Sequence, residues 1–337
     1  MAEALGIAEI LVTTLHLLAM NAAVGGTALA LWLHLQPRDG EAFARFGPRL
    51  LRVACAGLYV GTIPGFAAVW LWWLDAPTEL ERVAAILPES RYYFAAAELV
   101  FSAACFEAWR HWWSRRRWAA WLLGIAGVTN LAYHFPTMFA VLSVYAGRPL
   151  LFSQPPAYLT LLNDAEVLAR VVHFLLASVA VGGALLCALP ESVAGEARHE
   201  PNVRLRRRGA QIALAATLAQ WPIGIALLVA LPEVVRGALL GDDARITVLF
   251  VVSLAAVVVL MHRLATASFG EPAPRQVRSL LIWLGVTIVL MTAVRYYVRA
   301  TSRPAAAVAV GGSRAPSVAG PVLRVSLRPT FVRFACR

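Results

Sequence analysis

Apolar residues in this chain come in eight long runs, neither alternating in twos nor recurring once per helical turn. The runs cover roughly 7–35, 52–74, 92–112, 118–146, 165–190, 209–231, 246–264 and 279–299. A segment that is apolar on every side predicts a buried or membrane-crossing helix, and about 20 residues suffice to cross a hydrocarbon layer. The first and fourth runs are long enough to cross at a tilt. Aromatic residues gather at the run ends (Trp72, Trp73, Tyr92, Tyr93, Trp112, Trp113, Trp118), where their half-polar rings suit the membrane boundary. The pattern predicts an all-α, polytopic membrane protein of eight transmembrane helices.

The pattern also repeats. His16–Thr27 reads HLLAMNAAVGGT and His173–Ala184 reads HFLLASVAVGGA. In both, Ala-Val-Gly-Gly follows a histidine at the same offset. At ~100° per residue, Ala23 and Thr27 share the face of His16, and Ala180 and Ala184 share that of His173. Pro64 in the second run and Pro222 in the sixth extend the correspondence. An even number of helices per copy keeps both copies in one orientation, so the repeat is parallel. The expected organisation is a four-helix unit over 1–148, a second over 149–300, and a disordered tail over 301–337. That tail holds six arginines and no acid and has no sustained apolar period.

Composition agrees with a membrane protein: 60% of residues are hydrophobic and mean hydropathy is +0.67. The net charge of +11 is placed for a membrane rather than for nucleic acid. Arginine-rich loops (Arg38–Arg52, Arg110–Arg117, Arg198–Arg208, Arg263–Arg278) alternate with loops carrying Asp75, Glu79, Glu81, Asp164, Glu166, Glu233, Asp242 and Asp243. By the positive-inside rule the first set is cytoplasmic and both termini lie outside, in a bacterial inner membrane. Glu3 and Glu9 flank the first run in place of a basic leader, predicting a retained first helix. The four cysteines are scattered and form no CxxC, which excludes the usual covalent haem and iron–sulfur motifs.

Ionisable groups inside a bilayer are costly and mark functional positions. His16, Glu98, His134 and His173 are expected to approach one outer layer from four helices. His34, His111 and His262 fall at arginine-rich helix ends, where interfacial placement accounts for them. Each Gly-Gly beside a repeated histidine is either a notch for a neighbouring helix or room for a flat, metal-centred ligand. A bare zinc or copper site needs several ligands at close spacing, and none is present. Axial histidines at His16, His173 or His134 beside small residues fit one or two b-type haems, with Met138 and Met291 as candidate thioether ligands. Arg91, Arg170, Arg295 and Arg299 are positioned for propionates.

Several of these residues carry a resemblance. An early histidine in the first helix is followed by YYFAAAELVFSAACFE in the third, GIAGVTNLAYHFP in the fourth and ARVVHFLLASVAVGGALL in the fifth. This order resembles subunit I of cytochrome bd-type quinol oxidases. The resemblance implies haem-ligand roles for His16 and His173 and matches Glu98 to the first family carboxylate. The sequence departs from the family at Glu107, one residue further from Glu98. It also has a short connection, Leu231–Arg245, where the family has a long quinol-binding loop, and lacks the GRQPW segment and a ninth helix. The resemblance thus implies a b-type cytochrome passing electrons within a respiratory-type membrane complex, with quinol or a periplasmic cytochrome c as partner. A haemless scaffold or transporter-like subunit is the alternative.

Overall fold

The computed structural model describes residues 2–35, 46–146, 158–189 and 196–311. Every element among them is helical. In chain order these are α1 (Ala2–Leu35), α2 (Gly47–Asp75), the short α3 (Pro77–Ala84), α4 (Glu89–Trp112), α5 (Arg117–Ala146) and the one-turn α6 (Tyr158–Leu162). They continue as α7 (Ala165–Ala188), α8 (Glu196–Ala230), α9 (Glu233–Gly237) with a π-helical turn at Ala238–Asp242, α10 (Ala244–Phe269) and α11 (Pro274–Gly311). Each expected apolar run lies in one long helix. Seven of these helices are long and apolar enough to cross a membrane. The eighth, α4, is less apolar because Glu98 and Glu107 sit within it, although its 24 residues span roughly 36 Å. The chain is a multi-pass helical membrane protein.

Of the expected tail over 301–337, the structure describes residues 301–311. The last helix runs on to Gly311, because the alanine-rich stretch after Pro304 is a good helix former. Residues 312–337 lie outside the described residues.

Acidic loops that read as topology signals also start helices. The Asp164 carboxylate accepts from the backbone N–H groups of Glu166 (2.9 Å) and Val167 (3.4 Å) at the start of α7. Asp243 does the same for Arg245 (2.9 Å) and Ile246 (3.1 Å) at the start of α10. Both satisfy backbone donors that a helix N-terminus leaves unpaired. Gly241 closes the π turn at φ 144°, a conformation that side chains with a Cβ resist.

The centre of the bundle is the pairing of α1 with α7. Asn21 Oδ1 accepts from Ser178 Oγ at 2.8 Å, and one turn on Gly25 meets Gly182. Both pairs are 157 residues apart, the separation of His16 from His173, so the two helices run parallel and in the register of the sequence repeat. The approach depends on glycine: a Cβ on Gly182 would lie 2.6 Å from the carbonyl carbon of Gly25, and one on Gly25 would strike the Ser178 carbonyl. The second glycine of each pair faces the next helix of its own half. A Cβ on Gly26 would come within 2.9 Å of the Ala54 Cβ of α2, and one on Gly183 within 2.7 Å of the Ala213 backbone nitrogen of α8. Both notches are therefore closed by helices, and the ligand-cradle reading of the Gly-Gly pairs is corrected. The small residues below the histidines, Ala23, Thr27, Ala180 and Ala184, are buried in the same packing.

Candidate functional site

Helical geometry decides how the two repeated histidines stand. The α1–α7 seam runs through Asn21 and Gly25 on one side and Ser178 and Gly182 on the other. His16 lies nine residues before Gly25, and His173 nine before Gly182, half a turn away at ~100° per residue. The imidazoles therefore point away from each other, to opposite sides of the helix pair. A single ligand between them is excluded, and two separate positions result.

His16 is braced by α2. Its Nδ1 lies 2.8 Å from the Gly61 carbonyl oxygen, which can only accept, so Nδ1 carries the proton and Nε2 keeps its lone pair. The ring rests on Gly65, where a Cβ would come within 2.7 Å of Nδ1, and meets the edge of Phe139 with centroids 6.5 Å apart. Pro64 withholds a donor from the carbonyl four residues back, loosening α2 beside this contact. Gly57, Gly61 and Gly65 form a strip against Ala19 and His16. Sequence reasoning missed this strip, although its four-residue spacing was in plain view.

His173 has the opposite condition. Its Nδ1 is buried and has no hydrogen-bond partner. At the α7 turn above it, Arg170 is paired with Glu166 at 2.6 Å and reaches Ser143 Oγ of α5 at 3.4 Å. Arg295 of α11 reaches the same hydroxyl at 3.5 Å. Met291 lies four residues before Arg295, on the same helical face. Helix α7 leads inward from Arg170, whereas α11 arrives at Arg295 from the opposite end of the bundle, its start held by Arg206 and Arg207 on the Pro272 and Gly270 carbonyls. His173 and Met291 thus each lie one turn deeper than an arginine, and the two arginines meet. Arg295 remains exposed on a helix packed against α1 and α7.

Glu98 and His134 form a third position. Glu98 Oε1 lies 3.0 Å from His134 Nδ1, bridging α4 and α5. Asn130 holds the same crossing by donating to the Glu98 carbonyl and to Ser102 Oγ, both at 2.9 Å. Among the described residues no hydrogen bond or ion pair joins this couple to His16 or His173. The expected convergence of four polar groups is thus three places in one half of the bundle.

Among the described residues no three His, Cys, Asp or Glu side chains cluster to hold a metal ion; the Glu98–His134 couple is a pair. Cys55, Cys105 and Cys187 are free and buried. Of the other arginines considered for propionates, Arg299 is paired with Glu9 at 2.6 Å and Arg91 lies over the Tyr158 ring at 4.2 Å. Glu107 accepts from Tyr59 at 2.9 Å and pairs with Arg110 at 2.6 Å. His34 is buried against its neighbours rather than reaching out to solvent. Trp113 meets its ring edge-on at 4.4 Å.

No family model matches the sequence, and no curated protein matches it. Among solved structures the chain is similar to the bd oxidase from Geobacillus thermodenitrificans, with a TM-score of 0.67 over 90% of this chain and 87% of that chain. Sequence identity is 14%, so the likeness establishes a shared fold.

Proposed function

We propose that the protein is a b-type cytochrome of the bacterial inner membrane, transferring electrons within a multi-subunit respiratory complex. The observation that carries this reading is the buried, unpartnered Nδ1 of His173. A buried polar atom without a partner costs free energy unless a ligand satisfies it, and a lone imidazole in a membrane helix suits haem iron. His173 would hold such a haem, with Met291 as the candidate thioether and Arg170 and Arg295, which share the Ser143 hydroxyl, placed for its carboxylates. His16 would hold a second, since its backbone bond fixes the ring and leaves Nε2 available. A bound haem supplies one-electron transfer. The chain orients the imidazoles, excludes water from them and offers cations at the outer edge.

The reading includes all eight helices as spans, both termini outside and the histidine layer toward the outer leaflet. That placement favours quinol or a periplasmic cytochrome c as electron partner. Glu98 and His134 are a linked acid–base pair near this layer, fit to move a proton between α4 and α5. The alternative, a haemless scaffold sharing the fold, draws support from the closure of both Gly-Gly notches by helices. Visible absorbance before and after dithionite separates the two: sharp reduced bands mark the cytochrome, and their absence leaves the scaffold. His173→Ala and His16→Ala should each lower haem per protein and the melting temperature, whereas His111→Ala should change neither. Full pigment with an unaltered spectrum in both histidine variants would sink the cytochrome reading.

A further inference from the structure

At the other end of the bundle, where α1 ends and α5 begins, a pocket of about 550 Å³ is lined by His34, Arg115, Arg116, Arg117, Trp118 and Trp121, with no acid among the described residues of its wall. We propose that this pocket binds the phosphate headgroup of an anionic phospholipid.

Three observations carry the assignment. The first is charge: three consecutive arginines line a pocket with no carboxylate among its described residues, and guanidinium binds phosphate oxygens in pairs. The second is that the pocket is built. Arg117 donates to the His34 carbonyl at 3.0 Å while His34 Nε2 meets the Arg117 carbonyl at 3.3 Å, so α1 and α5 are fastened across the floor. Trp109 and Trp113 hold the His34 ring edge-on. The third is an orphan donor. Trp121 lines the pocket, its Nε1 is sealed from solvent with no hydrogen-bond partner, and an indole N–H can only donate, so a small shift of the ring would offer it to a phosphate oxygen. Arginines that merely set topology reach into the interface without enclosing a pocket or leaving a buried N–H unmet.

The surroundings favour a lipid over a free anion. Leu35, Trp118 and Leu122 are exposed, at 52%, 70% and 48%. Trp118 and Leu122 share one face of α5 and lead from the pocket along the apolar span, a track for acyl chains. Basic pockets between helices at the cytoplasmic surface are a recognised lipid-headgroup chemistry. The leaflet assignment rests on the proposed orientation; the chemistry does not, and neither depends on haem.

The test uses the full chain purified in neutral detergent, titrated with phosphatidylglycerol, phosphatidylcholine or inorganic phosphate. Bound lipid is counted by native mass spectrometry and stability is read as a melting curve. Phosphatidylglycerol should bind and raise the melting temperature, and the other two probes should do so far less. Arg115→Gln combined with Arg116→Gln should weaken phosphatidylglycerol binding about tenfold or more. Trp121→Phe keeps an aromatic side chain but removes the N–H together with the five-membered ring; it should weaken binding severalfold, with affinity read against that variant's own lipid-free melt, which keeps the test open if the double variant inserts poorly. Equal gain from phosphatidylcholine would reduce the pocket to a general lipid contact. Equal gain from inorganic phosphate would make it a free-anion site, and unchanged affinity in Trp121→Phe and the double variant would overturn the assignment.

Discussion

Replacing Gly182 with alanine adds one methyl group where α7 meets α1. That carbon would sit 2.6 Å from the Gly25 carbonyl carbon and oxygen. Ordinary contact begins near 3.4 Å, so the helices must part by close to an ångström, and neither obstacle is a side chain that can swing aside. A gap of ~0.5–1 Å forfeits a quarter to a half of each dispersion contact along the seam, and overpacking of this kind costs about 1–3 kcal/mol. The Asn21–Ser178 hydrogen bond, at 2.8 Å one turn away, stretches with it and adds about 0.5–1.5 kcal/mol. Gly285→Ala is the control, because a Cβ there meets nothing within 4 Å and helix propensity favours alanine by about 1 kcal/mol. Gly182→Ala gains the same propensity, so its net cost is about 0.5–3.5 kcal/mol, and the two variants should differ by about 1.5–4.5 kcal/mol in opposite directions from wild type. Melting of the detergent-solubilised protein, read by circular dichroism, measures the difference. If Gly182→Ala melts at or above the wild-type temperature, the close seam is not what organises the bundle.

Two further outcomes are expected. Asp164→Ala and Asp243→Ala should each cost about 1 kcal/mol through loss of a helix cap, and hydrogen exchange should quicken only in the first turns of α7 and α10; protection that stays intact would show that water serves those N–H groups as well. A reporter fused after residue 300 should behave as periplasmic and one inserted in Arg198–Arg208 as cytoplasmic, and the reverse pattern would turn the histidine layer inward.

Most of the fold was legible because its signal is physical and redundant. A run of twenty apolar residues has few structural options, and all eight runs became helices. The repeat was legible too, and the Asn21–Ser178 and Gly25–Gly182 pairs show that its offset is also a contact register. Where each polar group points was harder to read. Depth along a helix follows from residue number, so His16, Glu98, His134 and His173 were placed in one layer. Azimuth depends on which face meets which neighbour, and the sequence does not say whether a glycine notch receives a helix or a ligand. The same ambiguity hid His34, whose burial comes from Trp109 and Trp113 on a different helix. Acids such as Asp164 carried two meanings at once, and only the topological one was taken.

The α1–α7 seam has a consequence for symmetry. Asn21 and Ser178 are equivalent positions of the repeat, and they touch; so do Gly25 and Gly182. In an assembly of two like halves, equivalent atoms meet only on the rotation axis that relates them. A pseudo-twofold axis therefore runs along this seam, parallel to both helices, and the chain holds inside itself the isologous interface of a dimer. A side chain on the axis meets its own counterpart, so Asn21 and Ser178 satisfy each other. Half a turn away the two histidines meet different neighbours: one is braced by a glycine carbonyl, and the other keeps an unpaired nitrogen.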